Sequence, residues 1–164
     1  VIDLSISAYD SSVPLPSAES QLVSIRPSSS AWPVRIHLAC QEPPNSTSIM
    51  EKSTPRKQPK KLPTIIYEPS SGIPGSIALL DSVLPPSSVN ATNPGGWLLD
   101  MQEQGEVGRV CVWDRPGYGF SEVLESADLG LVAEALYLAL EAAGEVDIAK
   151  KGTGFLLAGE GYGG

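Results

Sequence analysis

The chain has 164 residues, 41% of them hydrophobic and 18% charged, which is enough for one folded domain with a core. Its net charge of −8 argues against nucleic acid as a partner, because phosphate binding needs a basic surface. No apolar run approaches the ~18 residues of a membrane span, and no secretory leader pattern is visible. The chain begins at Val1 and not at Met, so residues ahead of it are to be expected.

The acidity is uneven. Residues 51–61 (EKSTPRKQPKK) hold five bases and one acid. They read as a solvated loop, with a patch for a membrane or an acidic partner as the alternative. Cys40 and Cys111 are too few for a disulfide scaffold or a zinc site. Each sits in an apolar, strand-like run, which predicts buried free thiols. No metal and no cofactor is expected. Asn45-Ser46-Thr47 and Asn90-Ala91-Thr92 match the glycosylation acceptor pattern and point toward a secretory or membrane-associated protein.

In chain order, residues 1–19 form an irregular segment broken by Pro14 and Pro16. Gln21 to Ile25 suits a short strand. Val34, Ile36, Leu38 and Cys40 alternate with other residues, the mark of a half-buried strand, with His37 as a structural residue on it. About 41–61 reads as a Pro/Ser/Lys-rich insertion. Leu62 to Tyr67 (LPTIIY) is a β-branched, apolar strand that Glu68-Pro69-Ser70-Ser71-Gly72 terminates. A helical turn fits within 73–82, and 83–96, with three prolines and two glycines, is a second insertion. Trp97 to Gln104 suits a short helix, with Trp97 and Trp113 as core or pocket wall. Arg109 to Trp113 is a third apolar strand. Asp128 to Ala143 is the best helix, capped by Asp128 and stopped by Gly144, with Leu129, Val132, Leu136, Leu140 and Ala143 as its apolar stripe. Gly154 to Ala158 is the last strand. Short apolar strands between amphipathic helices imply an α/β fold with a mostly parallel sheet covered on both faces, entered through an antiparallel hairpin.

The sequence closes on Gly159-Glu160-Gly161-Tyr162-Gly163-Gly164. These glycines fit G-x-G-x-x-G, a dinucleotide fingerprint, whose pyrophosphate-holding helix and acidic residue would have to lie beyond Gly164. They also fit the G-x-S-x-G-G nucleophile elbow, with Gly161 where the serine belongs. Small residues let strand and helix close together at such a turn.

Trp113-Asp114-Arg115-Pro116-Gly117-Tyr118-Gly119-Phe120-Ser121 resembles the D-R-P-G-x-G-x-S segment that follows the fourth strand of α/β-hydrolases. Ile36-His37-Leu38-Ala39-Cys40 is similar to the L-H-x-x-C of an esterase/lipase-like branch, and Leu62 to Gly72 to the third strand with its oxyanion loop. The elbow then stands one helix after Asp114, as in that family. The resemblance covers about residues 20–164 and implies the N-terminal half of such a fold, in a parent that hydrolyses esters or related acyl bonds.

It also implies site positions. The oxyanion hole would use backbone N–H groups of Tyr162 and of Ser70 or Ser71, where Pro69-Ser70-Ser71 replace the family's usual glycines. The elbow itself (Gly159, Glu160, Gly161, Tyr162, Gly163) is degenerate, because Gly161 offers no nucleophile. The acid and histidine that follow the nucleophile in chain order are absent from this sequence, and Ser70, Ser71 and Ser121, hydroxyls near the expected mouth, read as turn residues. Asp114 and Arg115 are expected to fix the turn after their strand. The chain as written is therefore expected to be catalytically incompetent: part of an α/β-hydrolase-like protein, a pseudoenzyme binding an acyl-type small molecule, or, least, a dinucleotide-binding protein. The last strand would sit mid-sheet in a complete fold, so the missing C-terminal half or another chain is expected to cover its open edge.

Overall fold

The computed structural model describes residues 20–28, 30–43, 62–77, 98, 101–102, 104–126, 128–151 and 153–159. The irregular segment 1–19, nearly all of the first insertion, the whole of the second, Trp97 and the turn residues Glu160 to Gly164 lie outside them. Five strands, β1 (Ser20–Ile25), β2 (Val34–Gln41), β3 (Thr64–Glu68), β4 (Val110–Trp113) and β5 (Phe155–Gly159), and two helices, α1 (Leu129–Ala142) and α2 (Glu145–Lys151), make up the numbered elements.

The strands form one sheet in the order β1-β2-β4-β3-β5. β1 pairs antiparallel with β2, and β2 antiparallel with β4, while β3 is parallel to both β4 and β5. β2 alone therefore runs against the others. This is the mostly parallel sheet with an early antiparallel hairpin that the sequence implies. The apolar runs of β3 and β4 are buried throughout, as a sheet with both faces covered requires. One face, carrying Ile36, Leu38, Ile66, Cys111 and Trp113, packs on Ala135, Ala139 and Leu140 of α1. The other face, carrying Ala39, Ile65, Tyr67 and Val112, packs on Leu98 and Val107. A fully buried Ile36 or Leu38 contributes roughly 1.5–3 kcal/mol of apolar burial.

Four expectations are corrected. β2 is not half-buried, because His37 and Ala39 on its second face are as enclosed as Ile36 and Leu38; a strand between two neighbours loses its solvent face. Cys40 and Cys111 are not free. They stand directly opposite each other across β2 and β4, with Cα atoms 4.0 Å apart, and form a disulfide. The pairing of the second strand with the fourth brings them together, and no linear pattern conveys it. The stripe of α1 is only partly core-facing: Ala135, Ala139 and Leu140 are buried, whereas Leu129 is exposed. β5 is not covered on both faces, since Leu156 is 49% and Leu157 71% exposed.

The termini of α1 follow from local chemistry. The Asp128 carboxylate accepts from Leu131 N at 3.0 Å and caps the first turn. Gly144, at φ 79°, turns the chain out of the helix. α2 went unread in the sequence because seven residues hold too few turns for a period. Its charge order was the available signal, with Glu145 and Asp147 in the first turn and Lys150 and Lys151 in the last.

Candidate functional site

The D-R-P-G-Y-G-F-S segment leaves β4 and folds back on Asp114, which is fully buried. Asp114 Oδ1 accepts from Ser76 N at 2.8 Å and Oδ2 from Phe120 N at 2.9 Å. His37 Nδ1 lies 3.1 Å from the same Oδ2. Burial pushes the Asp114 carboxyl upward, but the His37 ring and the two backbone donors outweigh it and hold the group below the usual aspartate value. Gly119 makes this possible. It sits at φ 49°, and a Cβ there would lie 2.2 Å from Asp114 Oδ2.

Ser121, His37 and Asp114 thus gather in one place, yet they are not a catalytic triad. Ser121 Oγ donates to Asp114 O at 2.6 Å and accepts from His37 N at 2.9 Å, so its bonds run to backbone and not to the imidazole. All three residues are fully buried, and a nucleophile must reach its substrate. Ser121, expected near the mouth of the site, is instead a brace between β2 and the end of β4. Glu122 extends the brace by accepting from Arg35 N and Nε, each at 2.8 Å.

The concave feature lies elsewhere, at the carboxyl ends of the three parallel strands. A cleft of about 520 Å³ is bounded by Ile66, Trp113, Val132, Leu136 and Leu157. That volume is within the usual range for small-molecule sites, and the end of the sheet is where α/β proteins place them. At its polar side Glu68 takes hydrogen bonds from Trp113 Nε1 and Arg115 Nε, and Arg115 Nη2 donates to Pro69 O at 3.1 Å. Burial pushes the Glu68 carboxyl above the usual glutamate value even though Trp113 and Arg115 both favour its charged form. Arg115 therefore ties the end of β4 to the loop after β3.

Ser70 and Ser71 belong to that loop. Ser70 O accepts from Ile73 N at 3.1 Å, and Gly72, at φ 87°, takes the left-handed position of the resulting turn. Ser71 and Gly159 both border the cleft. Glu68 and Gly159 are register partners, so β3 and β5 end side by side. Of the residues expected to form an elbow, Gly159 alone is described; Glu160, Gly161, Tyr162 and Gly163 lie outside the described residues. Gly75, where a Cβ would meet Trp113 O at 2.0 Å, lets the chain after the loop cross the end of β4. Sequence reasoning missed Glu68 as a site residue, although its place between an apolar strand and a Pro-Ser-Ser-Gly turn was a usable signal.

One group of donor residues comes together among the described residues. Cys40, Cys111 and Glu145 have side-chain atoms within 4.8 Å of one another. The two sulfurs are bonded to each other, and both Glu145 oxygens accept from Arg109 at 2.8 Å. The trio offers a cation no open ligand.

Fold and site together define an α/β protein with a mostly parallel sheet, an apolar cleft at its strand ends and a loop resembling that of α/β-hydrolases beside it. Among solved structures, the chain is similar to an epoxide hydrolase from Vigna radiata (11% identity, TM-score 0.47, covering 88% of this chain and 33% of that one). It is similar also to Epoxide Hydrolase A from Mycobacterium thermoresistibile (15% identity, TM-score 0.45, covering 87% and 32%). The chain thus spans about a third of the length of these neighbours. No family model and no curated protein matches it.

Proposed function

We propose that this chain is the N-terminal part of an α/β-hydrolase-like protein and that it helps to bind an acyl-type small molecule, an ester or a carboxylic acid, without acting as the nucleophile itself. The observation that supports this reading is the Glu68–Gly159 register pairing: β3 and β5 end together at an apolar cleft that Ser71 and Gly159 border, and in sequence the Ser70-Ser71 loop follows the one and the proposed elbow the other. Backbone N–H groups at those two turns would hold a carbonyl or carboxylate oxygen, and the cleft would take the acyl chain. A cradle of this kind stabilises charge on oxygen, but with Gly161 at the elbow it forms no acyl-enzyme.

In this reading further polypeptide, the remainder of the same protein or a second chain, covers β5. Leu156 and Leu157, apolar on opposite faces and about half or more exposed, favour it. If the native residue 161 is glycine in the whole protein, the protein is a binding pseudoenzyme.

The test uses p-nitrophenyl hexanoate for turnover and hexanoate for binding, followed through the indole N–H resonance of Trp113. Saturable binding with no turnover, in the wild type and in Gly161→Ser alike, is the expected result. Absence of binding removes the ligand reading. Turnover by the wild type removes the non-catalytic one, and turnover by Gly161→Ser alone would show that an acid and a base lie within these residues after all.

A further inference from the structure

We propose that the Cys40–Cys111 bridge is made as the chain folds in an oxidising compartment, and that it is a permanent staple between the β1–β2 hairpin and the parallel strands, not a redox switch. This stands independently of the ligand reading. The two cysteines are direct register partners, and such opposed pairs in antiparallel strands bring side chains into contact. The bridge spans 71 residues of sequence and links β2, the one strand of contrary direction, to its antiparallel neighbour β4. Among the described residues, hairpin and parallel strands are joined besides by three other register pairs between β2 and β4, by the apolar cluster under α1 and by the polar contacts of Asp114, Ser121 and Glu122.

Burial decides between staple and switch. Cys40 is 4% and Cys111 0% exposed, and a regulatory disulfide must admit an attacking thiolate. The competing use of two reduced thiols, a metal site with Glu145, is opposed by Arg109, which occupies both carboxylate oxygens. Cytosolic proteins seldom hold such a bridge, because thiol reductants there keep cysteines reduced. The two glycosylation acceptor triplets at Asn45 and Asn90 agree with the same route.

Formation balances as two exchange steps. One cysteine thiolate attacks a sulfur of a carrier disulfide and releases one carrier thiolate. The second cysteine thiolate then attacks the mixed disulfide and releases the other. The cysteine pair loses two electrons, and the carrier disulfide gains them.

The test traps protein from its native source in acid, denatures it and alkylates it with iodoacetamide before and after reduction. The expected peptide map shows neither cysteine modified before reduction and both after. Modification of both before reduction overturns the proposal, as does recovery of one zinc equivalent with the reduced pair. Dithiothreitol provides the second measurement. The bridge should be reduced about tenfold or more slowly in the folded protein than in denaturant, and equal rates would make it a switch.

Discussion

Replacing Asp114 by alanine removes the acceptor at which three segments meet. Ser76 N loses its partner at a buried position and Phe120 N at a half-buried one, and His37 loses the carboxylate beside its Nδ1. A buried donor left unsatisfied costs about 1–3 kcal/mol. The Ser76 amide therefore costs about 1–3 kcal/mol and the half-buried Phe120 amide a smaller amount, less whatever is recovered by no longer burying a charge. A central value of about 3 kcal/mol is a large share of the roughly 5–15 kcal/mol that holds a domain folded. Urea denaturation of wild type and Asp114→Ala, compared at equal slope, measures it. Asp114→Asn, which keeps one carbonyl acceptor, should lose about half as much.

The pH dependence supplies a second reading of the same knot. The folded-state value of Asp114 is depressed, so the folded protein binds this proton more weakly than the unfolded chain does. Its contribution is full above the ordinary aspartate value of about 3.9 and is lost as pH falls through the depressed folded value. The stability difference between wild type and Asp114→Asn should therefore shrink as pH falls below about 4. A loss under about 1 kcal/mol for Asp114→Ala, or a difference that does not change with pH, would refute the reasoning.

Three further outcomes are expected. Gly119→Ala combines a left-handed backbone with a Cβ only 2.2 Å from Asp114 Oδ2, and should destabilise by about 2–4 kcal/mol in chemical denaturation. Asp128→Ala removes the cap of α1 and should cost about 1 kcal/mol, read in the same experiment and as slightly reduced helical circular dichroism. Leu157→Glu changes a residue that is 71% exposed, and should alter stability by under about 0.5 kcal/mol while lowering aggregation measured by light scattering; a large loss of stability would mean that this face is buried in the chain as it exists.

Much of the architecture was legible from short-range pattern. The β-branched run of β3, the apolar run of β4 and the capped helix α1 declare themselves because burial and capping act on neighbouring residues. The D-R-P-G-Y-G-F-S loop and the closing glycine run with Gly161 are likewise properties of the sequence, and the second sets the expectation of an elbow without a nucleophile. The strand order was not legible. It placed β2 between β1 and β4, which enclosed His37, joined Cys40 to Cys111 and made Ser121 a backbone brace. It also set Glu68 beside Gly159 and left Leu157 in solvent. Each of these depends on contacts between residues far apart in the chain, where a linear period carries no information and only pairing, register and the path of the connections decide the neighbours.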